Sequence, residues 1–392
     1  MISKLSIIGS PLSLDAFSFA FWHMFDAKSK VGFTANFGKT IQSNHVITVN
    51  SGIASFYIIL EALKEKSTKN EVILPAYTAG SLVVAVKKAG LKPVLCDINL
   101  DDFSLDVESL LSRVSNNTLA VVAVHMFGLP LADIAGLKGK LPSDVFLLED
   151  CAQAMGTTIN NKLTGSFSDI SFYSFNRGKN LPLCSGGAIS TQNQDLSGAI
   201  DRQAAKLSGG NLFRDLIYPF QLLVFSFSLN PYIYGALFFL ISCFKETKPP
   251  KDFPIRAMSN FHSAYGLKVL QKENTLFSKR NYNGMYLANA LKDLNNIILP
   301  KTSKEDKVIF NRLPVIFKDL KQLKDVQMIL AQKGIESSRM YNVPLNQMFD
   351  LGYGANDFPN ASYLAEHLLT LPVHPLVENK DLDAIIEAIK GV

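Results

Sequence analysis

Residues 146–189 read FLLEDCAQAMGTTINNKLTGSFSDISFYSFNRGKNLPLCSGGAI, and this stretch decides the fold. It opens on an apolar run ending in Glu149-Asp150, continues through DISFYSF, turns at Arg177-Gly178-Lys179, and resumes as GGAIST. On its N-terminal side, short apolar runs alternate with helix-periodic ones. VITVNSG precedes ASFYIILEALKE, EVILP precedes SLVVAVKKAG, KPVLCDI precedes VESLLSRV, and LAVVAVHM precedes a segment containing LADIAGLKG. Apolar strands without strict alternation, separated by helices, predict a mostly parallel sheet covered on both faces. Functional residues of such a sheet gather at the strand carboxyl ends, where Ser51-Gly52, Pro75-Ala76-Tyr77 and Glu149-Asp150 stand.

On the C-terminal side the pattern changes. SNFHSAYGLKVLQKENTLFSKRNYNGMYLANALKDL reads as a long helical stretch, KVIFNRLPVIF as a strand or hairpin, DLKQLKDVQMILAQKG as a helix and AIIEAIK as a terminal helix. The turn cluster PPKDFP predicts a boundary near residue 255, giving a large domain over 1–255 and a smaller one over 256–392.

With 392 residues the chain suits two or three domains. Its 39 basic and 34 acidic side chains leave a net charge of +5, too little over this length to argue for nucleic acid, and no recognition module stands out. Cys96, Cys151, Cys184 and Cys243 are far apart and read as thiols in a reducing compartment. His125, His262 and His374 show no metal-ligand spacing, so no metal is expected. The N-terminus lacks a long apolar core, and the main body reads as cytoplasmic, at the inner face of a membrane if one region makes contact there. That region is 216–244, which carries no charge, is broken at Asn230-Pro231, and is flanked by Arg202, Lys206 and Arg214 before and Lys245, Lys248, Lys251 and Arg256 after. The pattern suits a helical hairpin lying in a membrane interface. An apolar subunit interface, or a helix pair packed on the main domain, fits it equally.

Asp150 alone would read as a cap or salt-bridge partner, and Lys179 alone as a solvated amine. Together, at the ends of neighbouring strand segments, they have the chemistry that pyridoxal phosphate (PLP) requires: a lysine to form a Schiff base and later move the α proton, and an acid to keep the pyridine nitrogen protonated. Phosphate needs hydroxyls and backbone N–H groups at a helix start. Ser51-Gly52-Ile53-Ala54 offers such a place, and Ser174 is a second candidate.

The ordered set VNSGIASFYIILEAL, EVILPAYTAGSLVVAVKKAGLKPVLCDI, VAVHMFGLPLAD, the 146–189 stretch and TLPVHPL closely resembles the DegT/DnrJ/EryC1/StrS family, from about residue 31 to residue 390. The resemblance implies a fold-type-I PLP-dependent transferase of the α/β class. Its large domain would hold a mostly parallel seven-stranded sheet flanked by helices, beside a smaller C-terminal α+β domain. It implies Lys179 as the aldimine lysine, Asp150 as the pyridine partner, Gln153 at the cofactor face, and Ser174 with Ser51-Gly52 as phosphate ligands. Asn260 would reach the phosphate across a homodimer interface, making the sites composite.

Two positions depart from the family pattern. Ile53 stands where a hydroxyl residue is usual, and Ala79 where an aromatic often stacks on the ring, so that Tyr77 or another group covers the cofactor, or its face is barer. Arg339 and Tyr341, in SSRMYNVPL, resemble a segment near the substrate. Arg177 and His374 are weaker substrate candidates.

The implied function is aminotransfer from an amino acid, glutamate by resemblance, through a pyridoxamine form to a keto-sugar of the nucleotide-linked kind, feeding lipopolysaccharide or other polysaccharide synthesis. The apolar run motivates a second reading, a membrane-associated aminotransferase acting on a lipid-linked carbonyl compound. A third, a non-catalytic sensor or structural protein with a PLP fold, is disfavoured by the intact Lys179 and Asp150.

Overall fold

The computed structural model describes residues 3–208, 212–242, 249–303 and 305–392, with side chains for all of these except 212–214 and 239–242. Cys243, Lys245 and Lys248 therefore lie outside the described residues, and Arg214 outside the described side chains.

The seven-stranded sheet is built from β1 (His45–Val49), β2 (Glu71–Pro75), β3 (Lys92–Cys96), β4 (Thr118–Val124), β5 (Phe146–Asp150), β8 (Ile170–Ser174) and β9 (Gly187–Thr191), in the order β1-β9-β8-β5-β4-β2-β3. A small hairpin, β6 (Thr158–Ile159) and β7 (Lys162–Leu163), stands between β5 and β8 in the chain. Only β9 runs against the others, pairing antiparallel with both β1 and β8. The remaining pairs, β2 with β3 and β4, β4 with β5, and β5 with β8, are parallel. One edge of the sheet therefore collects the ends of β1, β2, β5 and β8, which deliver Ser51, Thr78, Asp150 and Ser174.

Every residue of β4 is buried. Its unbroken apolar run reflects helices on both faces, as the sequence predicts. Helices α1 (Leu14–Trp22) and α2 (Lys28–Thr40) precede the sheet, in a region where sequence reading assigned no element. Then come α3 (Gly52–Lys64), α4 (Gly80–Lys88), α5 (Val107–Arg113), α6 (Ile134–Lys140) and α7 (Gln194–Ala205). Phe56 of α3 stacks on Phe172 of β8 with ring centroids 5.1 Å apart, both rings being buried. Burying one such side chain fully contributes about 1.5–3 kcal/mol, which fixes the start of α3 beside the end of β8.

The region 216–244 differs from expectation in shape. It forms α8 (Leu212–Ser228) and α9 (Pro231–Ser242), bent by 89° at the break, an elbow rather than a hairpin. The cause is local. Pro231 has no N–H to continue α8 and instead opens α9, while Asn230 Oδ1 accepts from the N–H of Tyr232 (3.0 Å) as a cap. Among the described residues no single helix is long and apolar enough to cross a membrane.

The long helical stretch after residue 258 is two helices, α10 (Asn260–Leu270) and α11 (Glu273–Leu291). Helix α10 packs on α1 and α2. A smaller three-stranded antiparallel sheet follows, with β11 (Leu313–Phe317) between β10 (Ile297–Ile298) and β12 (Leu368–Leu371). Helices α12 (Leu320–Gln332), α13 (Leu345–Met348), α14 (Pro359–His367) and α15 (Asn379–Lys390) complete this α+β unit. The architecture is that of a fold-type-I transferase: a large, mostly parallel sheet between helices and a smaller C-terminal unit.

Candidate active site

A cavity of about 310 Å³ opens at the carboxyl edge of the large sheet. Ser51, Gly52 and Ile53, Thr78 and Ala79, Asp150 and Gln153, Ser174, Asn176 and Lys179, and Tyr341 of the C-terminal unit all line it. Residues as far apart in the chain as Ser51 and Tyr341 meet here, Ser51, Thr78, Asp150 and Ser174 because their strands end at the same edge.

Gly52, the first residue of α3, marks where an anion would sit. A Cβ at this position would lie 2.8 Å from Ser174 Cβ, so only glycine lets the helix start press against the end of β8. The Ser51 hydroxyl accepts from the Ala54 N–H (3.2 Å), capping the helix and leaving its own proton free to donate. Ile53 lines the cavity where a hydroxyl would add a further donor, so recognition rests on the helix start, Ser51 and Ser174.

Asp150 ends β5, and its carboxylate is nearly buried, at 7% exposure. One oxygen accepts from the Ala152 N–H (2.9 Å), and the other has no partner among the described residues. Burial raises its pKa above the ordinary carboxylate value, against the pull of the Ala152 hydrogen bond and the Lys179 charge. Beneath it, the Leu131 N–H donates to His125 Nδ1 (3.0 Å), so the ring proton sits on Nε2 and points at Glu149 (3.0 Å). Glu149 also accepts from the Gly165 and Phe167 N–H groups. Burial alone would raise its pKa, but these bonds outweigh that and hold it below the ordinary value. His125, Glu149 and Cys151 lie close enough together to suggest a metal cluster. Both ring nitrogens of His125 and both oxygens of Glu149 are already spent on protein partners, so this is a polar strut under Asp150.

Lys179 sits half-buried in the cavity wall, and burial lowers its amine to a pKa of about 8, opposed by Asp150 and reinforced by Arg312. Gly178 makes the turn before it with φ +73°, a conformation open to glycine. Two side chains that sequence reasoning missed clamp this turn. Arg280, buried in α11, donates to the carbonyls of Lys179 (3.0 Å) and Asn311 (3.1 Å). Asn180 donates to the carbonyls of Gln153, Met155 and Ile309. The carbonyl-directed arginine has no sequence signal, since its partners lie far along the chain.

Other expectations need correction. Tyr77 is fully buried, its hydroxyl donating toward the Tyr341 carbonyl (3.3 Å) and accepting from the Tyr341 N–H (3.3 Å), so it supports Tyr341 and leaves the cavity face to Ala79. Arg339 directs its guanidinium at the carbonyls of Ala365 and Glu366 (2.8 Å each), away from any ligand. His374 is buried against the Ser6 carbonyl (2.8 Å) and lines a different cavity. Arg177 is exposed, with its guanidinium 5.3 Å from the Phe225 ring. Asn260, by contrast, needs no correction: it opens α10 and lies outside this chain's own cavity, and its expected place is the site of a partner copy.

Arg312, at the start of β11, was not singled out from sequence. Among the described residues no carboxylate lies within 4 Å of it, and its Nε is buried without a hydrogen-bond partner. Its charge is felt by both Lys179 and Tyr341.

The donor set fits the cofactor that the sequence resemblance implies: an amine, a carboxylate for a ring nitrogen, and a helix start for a phosphate. A family model described as the DegT/DnrJ/EryC1/StrS aminotransferase family matches residues 21–207 and 255–390. The chain is 26% identical to the spore coat polysaccharide biosynthesis protein SpsC of Bacillus subtilis, over 92% of this chain and 88% of that one. It is 25% identical to the GDP-perosamine synthase of Escherichia coli O157:H7, over 90% and 87%. The solved structure of Helicobacter pylori PseC, an aminotransferase involved in the biosynthesis of pseudoaminic acid, superposes with a TM-score of 0.80 at 17% identity, covering 99% of this chain and 98% of that one. With most of its length matched, and the lysine, acid and helix start gathered at one sheet edge, the chain belongs to the DegT/DnrJ/EryC1/StrS aminotransferase family.

Proposed function

We propose that this chain is a PLP-dependent aminotransferase that moves an amino group from glutamate to a nucleotide-linked keto-sugar, acting as a homodimer. The observation that carries the reading is the single cavity shared by Lys179, Asp150 and the start of α3. When bound, PLP supplies an electron sink and a carrier for the amino group. Asp150 would offer its second oxygen to the ring N–H, and its burial would keep water from competing for that bond. Ser51, Ser174 and the α3 N–H groups would hold the phosphate. Lys179, with a pKa of about 8, is poised to give up and recover a proton at the substrate carbon near neutral pH. Gln153 is oriented by the Phe127 N–H donating to its Oε1 (3.2 Å), so its amide is a fixed wall of the cavity.

The donor carboxylate is assigned to Arg312, whose planar fork has no competing carboxylate. Asn260 is assigned to the site of the partner copy. The similarity to GDP-perosamine synthase supports a nucleotide-linked sugar, and that to SpsC a role in polysaccharide biosynthesis. The test is a purified, PLP-loaded protein incubated with glutamate and GDP-, UDP- or dTDP-linked keto-sugars. Formation of 2-oxoglutarate together with an amino-sugar nucleotide, detected by mass spectrometry, is the expected result. Consumption of glutamate without turnover of any sugar nucleotide would refute the acceptor class.

A further inference from the structure

Helices α8 and α9 turn toward solvent the faces that a surface helix normally keeps polar. Along α8 the exposed apolar positions are Leu216, Ile217, Phe220, Val224 and Phe227, which fall on one side of the helix together with the polar Gln221, while Asp215 and Leu222 are buried. Phe220 is 67% and Phe227 63% exposed. On α9, Tyr232, Ile233 and Leu237 are exposed, and Tyr234 turns inward to donate to Glu336 Oε2 (2.6 Å). The inner faces are thus anchored to the protein, and the outer faces are left apolar. No charged residue occurs from Leu216 to Phe238.

Apolar surface on this scale marks an interaction site.

We propose that this face seats the protein on the surface of an anionic lipid bilayer, with α8 and α9 lying in the head-group region. Three observations favour lipid over a second copy of the chain. The family model matches 21–207 and 255–390 and leaves 208–254 unmatched, so the elbow lies outside the sequence pattern that the family shares. The two helices together meet the length and hydropathy of a membrane segment, yet the 89° bend keeps them from forming one straight span, as suits helices lying along a surface. Cations border it on both sides: Lys206 and Lys251 are exposed and, among the described residues, pair with no carboxylate, while Asp252 beside them is taken by Lys88 (2.6 Å). Docking of this face stands independently of the reaction proposed above.

The test is flotation of the full, PLP-loaded protein with vesicles of phosphatidylethanolamine and phosphatidylglycerol, and with phosphatidylcholine alone. The wild type is expected to float with the anionic vesicles and less with the neutral ones. The double variant Phe220→Glu/Phe227→Glu, altered only at exposed positions, should lose about tenfold or more of its bound fraction. Its visible cofactor band and its mass by light scattering should match the wild type, showing that fold and assembly are intact. Wild-type protein that stays with the unbound fraction in both vesicle types overturns the proposal. A variant whose mass drops while the wild type fails to float would identify the face as a contact between copies, and also overturns it.

Discussion

Two arginines near the site illustrate what single side chains decide. Arg339 and Arg312 both come from the C-terminal unit, but Arg339 is spent on two carbonyls at the end of α14 while Arg312 has no carboxylate beside it among the described residues. The prediction is specific to Arg312. If Arg312 holds the donor carboxylate as proposed, Arg312→Met removes a charge-assisted bond worth about 1.5–3 kcal/mol. The KM for glutamate should rise about 10- to 100-fold with kcat little changed, because the lost contact is made equally in ground and transition states. Steady-state kinetics with varied glutamate would show this, and an unchanged KM would remove Arg312 from the donor site. Neither arginine could be sorted from sequence, since a guanidinium directed at carbonyls and one directed at a ligand carry the same local signal. Asp150 and Lys179 were legible because they stand at a strand end and beside a glycine turn within a stretch that resembles the family's own. Tyr77 was not, because the direction of a side chain after a strand depends on Tyr341, more than 260 positions away.

At the scale of elements, the start of α3 is the part most sensitive to a single atom. Gly52→Ala would place a methyl 2.8 Å from Ser174 Cβ and 3.3 Å from the Tyr173 carbonyl oxygen, so helix or strand must shift. Overpacking of this kind costs about 1–3 kcal/mol, and the shifted N–H groups would hold phosphate less well. Thermal unfolding should show a lower midpoint, and dialysis a faster loss of PLP. Gly136→Ala, in α6 with nothing within 4 Å of its Cβ, is the control and should be neutral or slightly stabilising. A stable, PLP-retaining Gly52→Ala would contradict the packing account. The alternating runs made α3 and the sheet readable before the structure, whereas the elbow between α8 and α9 was read as a hairpin. Asn230-Pro231 announces a break, but the angle across it is set by what each helix packs on.

For the whole molecule, two buried histidines make stability depend on pH. Burial lowers His374 to a pKa of about 4, the Arg280 and Arg312 charges adding to the effect against the Ser6 carbonyl. Burial alone lowers His262 to about 3. Both folded-state values lie below the unfolded value near 6.5, so the unfolded chain binds more protons as pH falls from 6.5 toward 4. Stability is therefore lost across that window, at about 1.4 kcal/mol per pH unit for each histidine once the unfolded form is protonated. Urea unfolding from pH 7 to pH 4.5 should show the decline, and His374→Gln should make its slope shallower whatever it does to stability at pH 7. An identical slope in the variant would mean that His374 takes up its proton in the folded protein.

The central claim is that Lys179 and Asp150 form one PLP site able to take an amino group. The direct measurement is the visible absorption spectrum of purified, PLP-loaded protein, wild type and Lys179→Ala, before and after glutamate. The expected result is a band in the wild type that borohydride reduces, that glutamate bleaches, and that is absent from the variant. A band of equal strength in Lys179→Ala, or no band in the wild type after PLP is added, would contradict it.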